Sequence, residues 1–194
     1  MQPDVDDLPP TTARILADKA LMRTCGQECV DWALGMLDQG HDGEAFCVLA
    51  CMSPPYNHFE MAELRDKALS SLNLGDIQLS EALWGYAKET MKATIKGEKD
   101  VGSALNLLRI LYFEGGFLQE LQDSYLLYYA YMDLQESEYQ YYWDGATRDN
   151  INQIVLQHFT SCLTEDSPMI QRTQSIPGKW ISYLWGICKR LKIS

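Results

Sequence analysis

Ala45-Phe46-Cys47-Val48-Leu49-Ala50-Cys51-Met52-Ser53-Pro54-Pro55 is the stretch on which the fold assignment turns. A helix from about Gly43 to Met52 is apolar nearly all round, which predicts that it is buried. Ser53-Pro54-Pro55 ends it, because proline cannot continue the hydrogen-bond ladder. Upstream, a helix from about Gln27 to Gln39 places Val30, Ala33, Leu34 and Leu37 on one face, and Gly40 is its stop. Downstream, Asn57 reads as an N-cap with Glu60 three residues later, in the manner of a capping box. The helix it opens runs to about Leu72 and is expected to bury Phe59, Ala62, Leu64, Ala68 and Leu69. Asn73-Leu74-Gly75-Asp76 breaks it.

The same punctuation continues outward. Thr11 or Thr12, after Pro9-Pro10, caps a segment to about Arg23 in which Ile15, Leu16, Ala20 and Leu21 recur at helical spacing. Further helices are read over about 79–96, 101–113, 118–134 and 148–163. In the last of these Ile151, Ile154, Val155 and His158 share a face. Alternating strand patterns are scarce, and no period near 34 or 40 residues supports a regular solenoid. The expected fold is therefore all-α, a single compact bundle of about eight or nine mostly antiparallel helices with short loops.

Charge divides the 194 residues unevenly. Residues 1–166 hold all 27 acids with 11 of the 16 bases, and residues 167–194 hold five bases and no acid. The first part is expected to be an acidic helical domain. The second is expected to be a basic linker with an amphipathic helix from Lys179 to Leu191, docked on the body. Its alternative role is a membrane-surface segment, given Trp180 and Trp185 on its apolar side. No apolar run reaches the roughly 20 residues that span a bilayer, and the acidic N-terminus lacks the start of an export signal. A soluble cytoplasmic protein is expected, with no stable membrane insertion. So acidic a body repels nucleic-acid phosphates and attracts a basic partner.

Cys25/Cys29, Cys47/Cys51 and His158/Cys162 are each spaced i, i+4. On helices each pair shares a face, the arrangement that can supply metal ligands. A reducing compartment predicts free thiols, and the apolar setting of Cys47 and Cys51 predicts small core hydrophobes. No metal and no cofactor is expected.

Within residues 32–74, Ala33-Leu34, Met36-Leu37, Gly40-His41-Asp42, Leu49-Ala50, Pro54, Phe59-Glu60, Ala68-Leu69 and Leu72-Asn73-Leu74 form a recognisable series. It resembles a recurrent helix–turn–helix–turn–helix pattern of small all-helical bacterial proteins. Some of these resemble immunity proteins encoded beside polymorphic or contact-dependent toxins, which bind the toxin and block it. The family usually has a small hydroxyl residue where this chain has Gly43. The resemblance implies a scaffold and toxin neutralisation, and supplies no nucleophile, base or cofactor cradle.

The residues themselves contain no P-loop, dinucleotide fingerprint, H-E-x-x-H, G-x-S-x-G or EF-hand loop. His158, on an apolar face, reads as a core histidine. A hydrolase built on paired carboxylates or a metal is the enzymatic alternative; a non-enzymatic protein is expected. The most unusual composition lies in 112–149, which holds eight of the 11 tyrosines and eight acids against Arg148 alone. One tyrosine-bearing face of the helix from 118 is expected to be core. The rest, above all Glu136-Ser137-Glu138-Tyr139-Gln140-Tyr141-Tyr142-Trp143-Asp144, alternates acid and aromatic. Tyrosine gives rigid contact area at little entropy cost, and carboxylates beside it pair with Lys or Arg. The expected partner-binding residues are Glu136, Glu138, Tyr139, Tyr141, Tyr142 and Asp144, with Asp133 and Asp149 at the rim. The expected partner is a cognate toxin with a basic surface, such as a nuclease domain. A non-catalytic adaptor or regulatory module is the alternative, and a homodimer through tyrosine-rich helices is compatible with the pattern.

Overall fold

Eight α-helices follow one another along the chain in the structure, a computed structural model that describes residues 8–164. They are α1 (Thr11–Ala20), α2 (Gln27–Asp38), α3 (Glu44–Ala50), α4 (His58–Ser71), α5 (Leu79–Ile95), α6 (Val101–Glu114), α7 (Gln122–Glu136) and α8 (Ile151–Thr164), with one 3-10 turn at Gln119–Leu121. There is no strand among the described residues, so the fold is all-α. The expected domain over residues 167–194, with its docked helix, lies outside the described residues.

Two apolar clusters hold the helices. The first, built mainly by α1–α4, centres on Trp32, Met36, Phe46, Leu49, Met61 and Leu69. The second, built mainly by α5–α8, centres on Leu83, Met91, Leu105, Leu108, Leu127, Leu134, Val155 and Phe159. The packing of α1 on α5 joins them, with Ala17 of α1 in the second cluster and Ala82 of α5 in the first. Arg23, between α1 and α2, pairs with Asp18 at 2.8 Å and with Glu114 at the end of α6. This ties the same two regions at the surface.

Several helix ends follow the sequence reading. The Asn57 side chain accepts from the backbone N–H of Phe59 and Glu60 at 3.2 and 3.5 Å. Gly40 takes a positive φ of 87° just after α2, a backbone conformation that glycine adopts without a steric cost. Asp100, which the sequence reading did not single out, caps α6 by accepting from Ser103 N–H at 2.9 Å. Gly43 precedes α3, which starts with no side-chain cap.

Other expectations are corrected. Neither Thr11 nor Thr12 caps α1; Pro10 occupies that position. Thr12 points inward instead, where its hydroxyl accepts from Trp32 Nε1 at 3.0 Å. A buried indole N–H needs a partner more than an exposed helix end does. Met36 and Trp32 rotate the inner face of α2, leaving Leu34 exposed. Phe59 is 91% exposed, because α4 buries Met61, Arg65, Ala68 and Leu69, and Phe59 lies on the opposite side. The buried guanidinium of Arg65 donates to Arg23 O at 3.3 Å and to Asp66 at 2.9 Å, which satisfies a charge that would be costly to bury alone.

Helix α3 is not buried all round. With only two turns it turns Phe46 and Leu49 inward and leaves Val48, Cys47 and Cys51 exposed. Cys25 and Cys29 are not free thiols: they form a disulfide across Cα atoms 5.9 Å apart, within the reach a disulfide requires. Both are nearly fully buried in the first cluster. Of the tyrosines of α7, Tyr128 and Tyr131 pack against the second cluster without being fully buried. Ser124, Leu127, Ala130 and Leu134 form its buried stripe, and Tyr125, Tyr128, Tyr129 and Tyr131 are half-buried along its flanks. Small and aliphatic side chains let α7 approach α6 closely, and a phenol hydroxyl inside would have needed a partner.

Candidate functional site

The aromatic residues displaced from the core meet one another on the surface. Tyr112 of α6 stacks on Tyr125 of α7 with centroids 4.7 Å apart. Tyr125 meets Tyr129 edge-on at 5.1 Å, and Tyr129 meets Tyr142 at 5.4 Å. Phe113 and Phe117 close the other end, each within 5.5 Å of a tyrosine centroid. The result is a continuous ladder of rings from the end of α6 to the loop between α7 and α8. Such tilted and offset contacts contribute about 0.5–1.5 kcal/mol per pair beyond area burial.

The Phe117 end is set by a tight turn. An added methyl on Gly115 would lie 3.0 Å from Leu83 Cδ1 and Leu111 O, so any side chain there would have to push the turn or its neighbours on α5 and α6 aside by a few tenths of an ångström. Gly116 and Phe117 both take positive φ, 69° and 67°. For phenylalanine that conformation costs roughly 1–2 kcal/mol. It is imposed by the N–H groups of Phe117 and Leu118, which both donate to Tyr112 O at 2.8 and 3.1 Å, and by burial of Leu118. Phe117 itself is left 64% exposed.

At the other end, residues 137–150 form the longest connection between described helices. They have no regular structure, yet their backbone polar groups find partners in three side chains. Gln140 Oε1 accepts from the N–H of Tyr142 and Trp143 at 2.8 and 2.9 Å, and its Nε2 donates to Trp143 O at 2.6 Å and Ala146 O at 3.2 Å. Arg148 donates to Leu134 O at 2.8 Å and Ser137 O at 3.0 Å, satisfying carbonyls that the end of α7 leaves open. Asn150 accepts from Thr147 N–H at 2.7 Å and donates to Gly145 O at 3.0 Å. The loop is wired from within.

The residues expected to bind a partner fall on this frame as follows. Glu136 is the last residue of α7 and exposed, and Asp133 lies one turn earlier, half-buried. Tyr139 and Tyr141 are 72% and 80% exposed. Tyr142 is half-buried on the ring of Tyr129. Its phenol is pushed above the usual tyrosine pKa by burial first, then by the Asp133 carboxylate and Tyr129. The structure therefore brings Asp133, Tyr129 and Tyr142 together. Glu138, Asp144 and Asp149 are exposed, and their side chains make no hydrogen bond or ion pair with other described residues. Tyr125 is likewise raised, by burial first and then by neighbouring phenols.

No group of three His, Cys, Asp or Glu that could hold a metal occurs among the described residues. His158 lies half-buried between α7 and α8, where Nε2 meets Ser124 Oγ at 3.2 Å and its ring lies 6.0 Å from Trp143. No helix of the described residues is long and apolar enough to cross a membrane. No family model, curated protein or solved structure matches this chain.

Sequence reasoning missed four contributors to the surface. Gln140 and Arg148 were passed over as the polar filler and the lone base of an acidic run. For Arg148 the signal was that lone position, since a basic side chain near a helix end often serves its open carbonyls; Gln140 carried no such signal. Phe113 and Phe117 lie inside the tyrosine-rich region but carry neither a hydroxyl nor a place in the acid–aromatic alternation of 136–144. The Gly115-Gly116 pair before Phe117 marked a turn that holds an aromatic residue outside the core.

Proposed function

We propose that this protein is a non-enzymatic binding module that neutralises a cognate bacterial toxin, docking through the acidic, tyrosine-rich surface formed by the end of α7 and the loop 137–150. What carries the reading is an exposed row of carboxylates and phenol rings on a loop already held in one conformation by Gln140, Arg148 and Asn150. Rigid aromatic anchors on a preorganised frame lose little entropy on binding. The carboxylates of Glu136, Glu138 and Asp144 suit a basic protein groove such as that of a nuclease domain, and Asp133 and Asp149 border the contact. Charge pairs that become buried there would each cost about 2–5 kcal/mol on truncation, whereas border charges act mainly on association rate and its salt dependence.

The experiment is co-purification with the product of the adjacent gene, followed by a growth-protection assay. Glu138→Lys with Asp144→Lys is expected to abolish protection and leave the thermal transition nearly unchanged, since neither side chain has a partner among the described residues. Protection that survives the double reversal would move the interface elsewhere. Binding of a neighbour that is not toxic would favour an adaptor, the use of the same surface without inhibition.

A further inference from the structure

Charge on this surface has no counterpart among the described residues. Residues 115–164 contain seven carboxylates and a single cationic side chain other than histidine, Arg148, and Arg148 is spent on the carbonyls of Leu134 and Ser137. Every ion pair described among residues 8–164 lies between Arg14 and Glu114. A cation that neutralises Asp133, Glu136 or Glu138 must come from outside the described residues. Beside these carboxylates stand the exposed rings of Tyr139 and Tyr141 and the half-buried ring of Tyr142.

The same surface already shows how it receives one kind of cation. Arg109 of α6 places its guanidinium 5.0 Å from the centroid of Tyr128, which in turn touches Tyr129 of the ladder at 5.2 Å. Arg109 donates to Asn106 Oδ1 through Nη2 at 3.0 Å and Nε at 3.3 Å, and has no carboxylate partner among the described residues. Its charge is balanced by a ring face and one amide oxygen. A planar, weakly hydrated guanidinium stacks in this way and still offers a fork of N–H donors to a carboxylate, whereas an ammonium is a compact, strongly hydrated point charge.

We infer that the acid–tyrosine surface selects arginine over lysine: its occupant is an arginine-bearing segment of a protein partner, with guanidinium planes stacked on Tyr139, Tyr141 and Tyr142 and their N–H groups on Asp133, Glu136 and Glu138. The inference rests on the binding surface proposed above and adds the chemistry of its counterpart. A purely electrostatic surface would treat the two cations alike. This one adds ring faces positioned beside the anions, which favour the cation able to use both.

The test compares oligo-arginine and oligo-lysine peptides of equal length, titrated calorimetrically into the full chain at one low ionic strength. Oligo-arginine is expected to bind about fivefold to tenfold more tightly. Tyr139→Leu with Tyr141→Leu keeps apolar bulk at two exposed positions where folding is not at stake; it should bring that ratio close to one and leave the oligo-lysine affinity nearly unchanged. Glu136→Gln with Glu138→Gln should weaken both peptides. Equal affinities in the unmodified chain, no binding of either peptide, or an arginine preference untouched by the leucine pair would each overturn the inference. Self-association that displaces the peptide would overturn it in favour of a second copy. The growth-protection assay reads the toxin proposal separately: arginine preference without protection removes only that proposal, and protection without arginine preference removes only this one.

Discussion

Trp32 and Phe46 meet edge to face at 5.3 Å inside the cluster of α1–α4, exposed by 0% and 1%, whereas Tyr112 and Tyr125 stack at 4.7 Å on the outside of α6 and α7. In the first region the rings are the core, and the one polar atom among them, the indole N–H, is satisfied by Thr12. In the second the core is leucine and alanine with Ile151, Val155, Met91 and a single phenylalanine, and the rings line its margin. The difference teaches that aromatic density is not a measure of burial. Where aliphatic side chains already fill the space between close helices, rings with hydroxyls are placed where water or a partner can reach those hydroxyls. The aromatic surplus of the second region is available for something other than folding.

The largest expected effect sharpens this contrast directly. Trp32→Ala removes a fully buried indole, its contact with Phe46 and its bond to Thr12, and should destabilise the protein by about 3–5 kcal/mol, read from the denaturant midpoint. A loss below about 1 kcal/mol would mean that the first core is no better packed than the surface ladder. Phe117→Gly should change stability by no more than about 1 kcal/mol in either direction. Relief of the positive φ offsets the ring contacts with Tyr112 and Phe113. The same measurement showing a loss comparable to that of Trp32→Ala would place the ladder in the load of the fold and break the comparison.

The smallest effect concerns pH. Burial, followed by Asp133 and Tyr129, raises the Tyr142 phenol above its usual value, so between the unfolded and folded pKa the native state holds a proton that the unfolded chain has released. Stability is then fully present below roughly pH 10, the ordinary tyrosine pKa, and falls as pH rises through the folded value. Tyr142→Phe should flatten that alkaline decline in chemical denaturation between about pH 9 and 11. Tyr86, raised chiefly by burial, and Tyr125 keep part of the slope. A decline unchanged by the substitution would show that the Tyr142 phenol is equally solvated in both states.

Helices and their stops were legible because each depends on neighbours in sequence. Asn57, Gly40 and the proline pair act within a few residues of their own position, and their roles follow from local backbone geometry. Which residues face inward was less legible. Phe59 looks like core on hydrophobicity alone, but the inner face of α4 is set by what α3 and α1 leave open, and Arg65 takes a place there by finding Arg23 O and Asp66. The pairing of Cys25 with Cys29 depends on a Cα separation that spacing alone does not fix. At the candidate site, the acids and exposed tyrosines could be read from their alternation. Gln140 and Arg148 could not, because their partners are main-chain atoms whose positions exist only once the loop is formed.

The wiring of residues 137–150 separates two kinds of position. Gln140, Arg148 and Asn150 hold the frame through main-chain atoms, while the side chains at 138, 139, 141 and 144 contribute no bond to it. Substitutions at those four sites leave the scaffold intact and change only what it displays. One such frame can be readdressed, through few mutations and at little cost in stability, to counterparts of different shape.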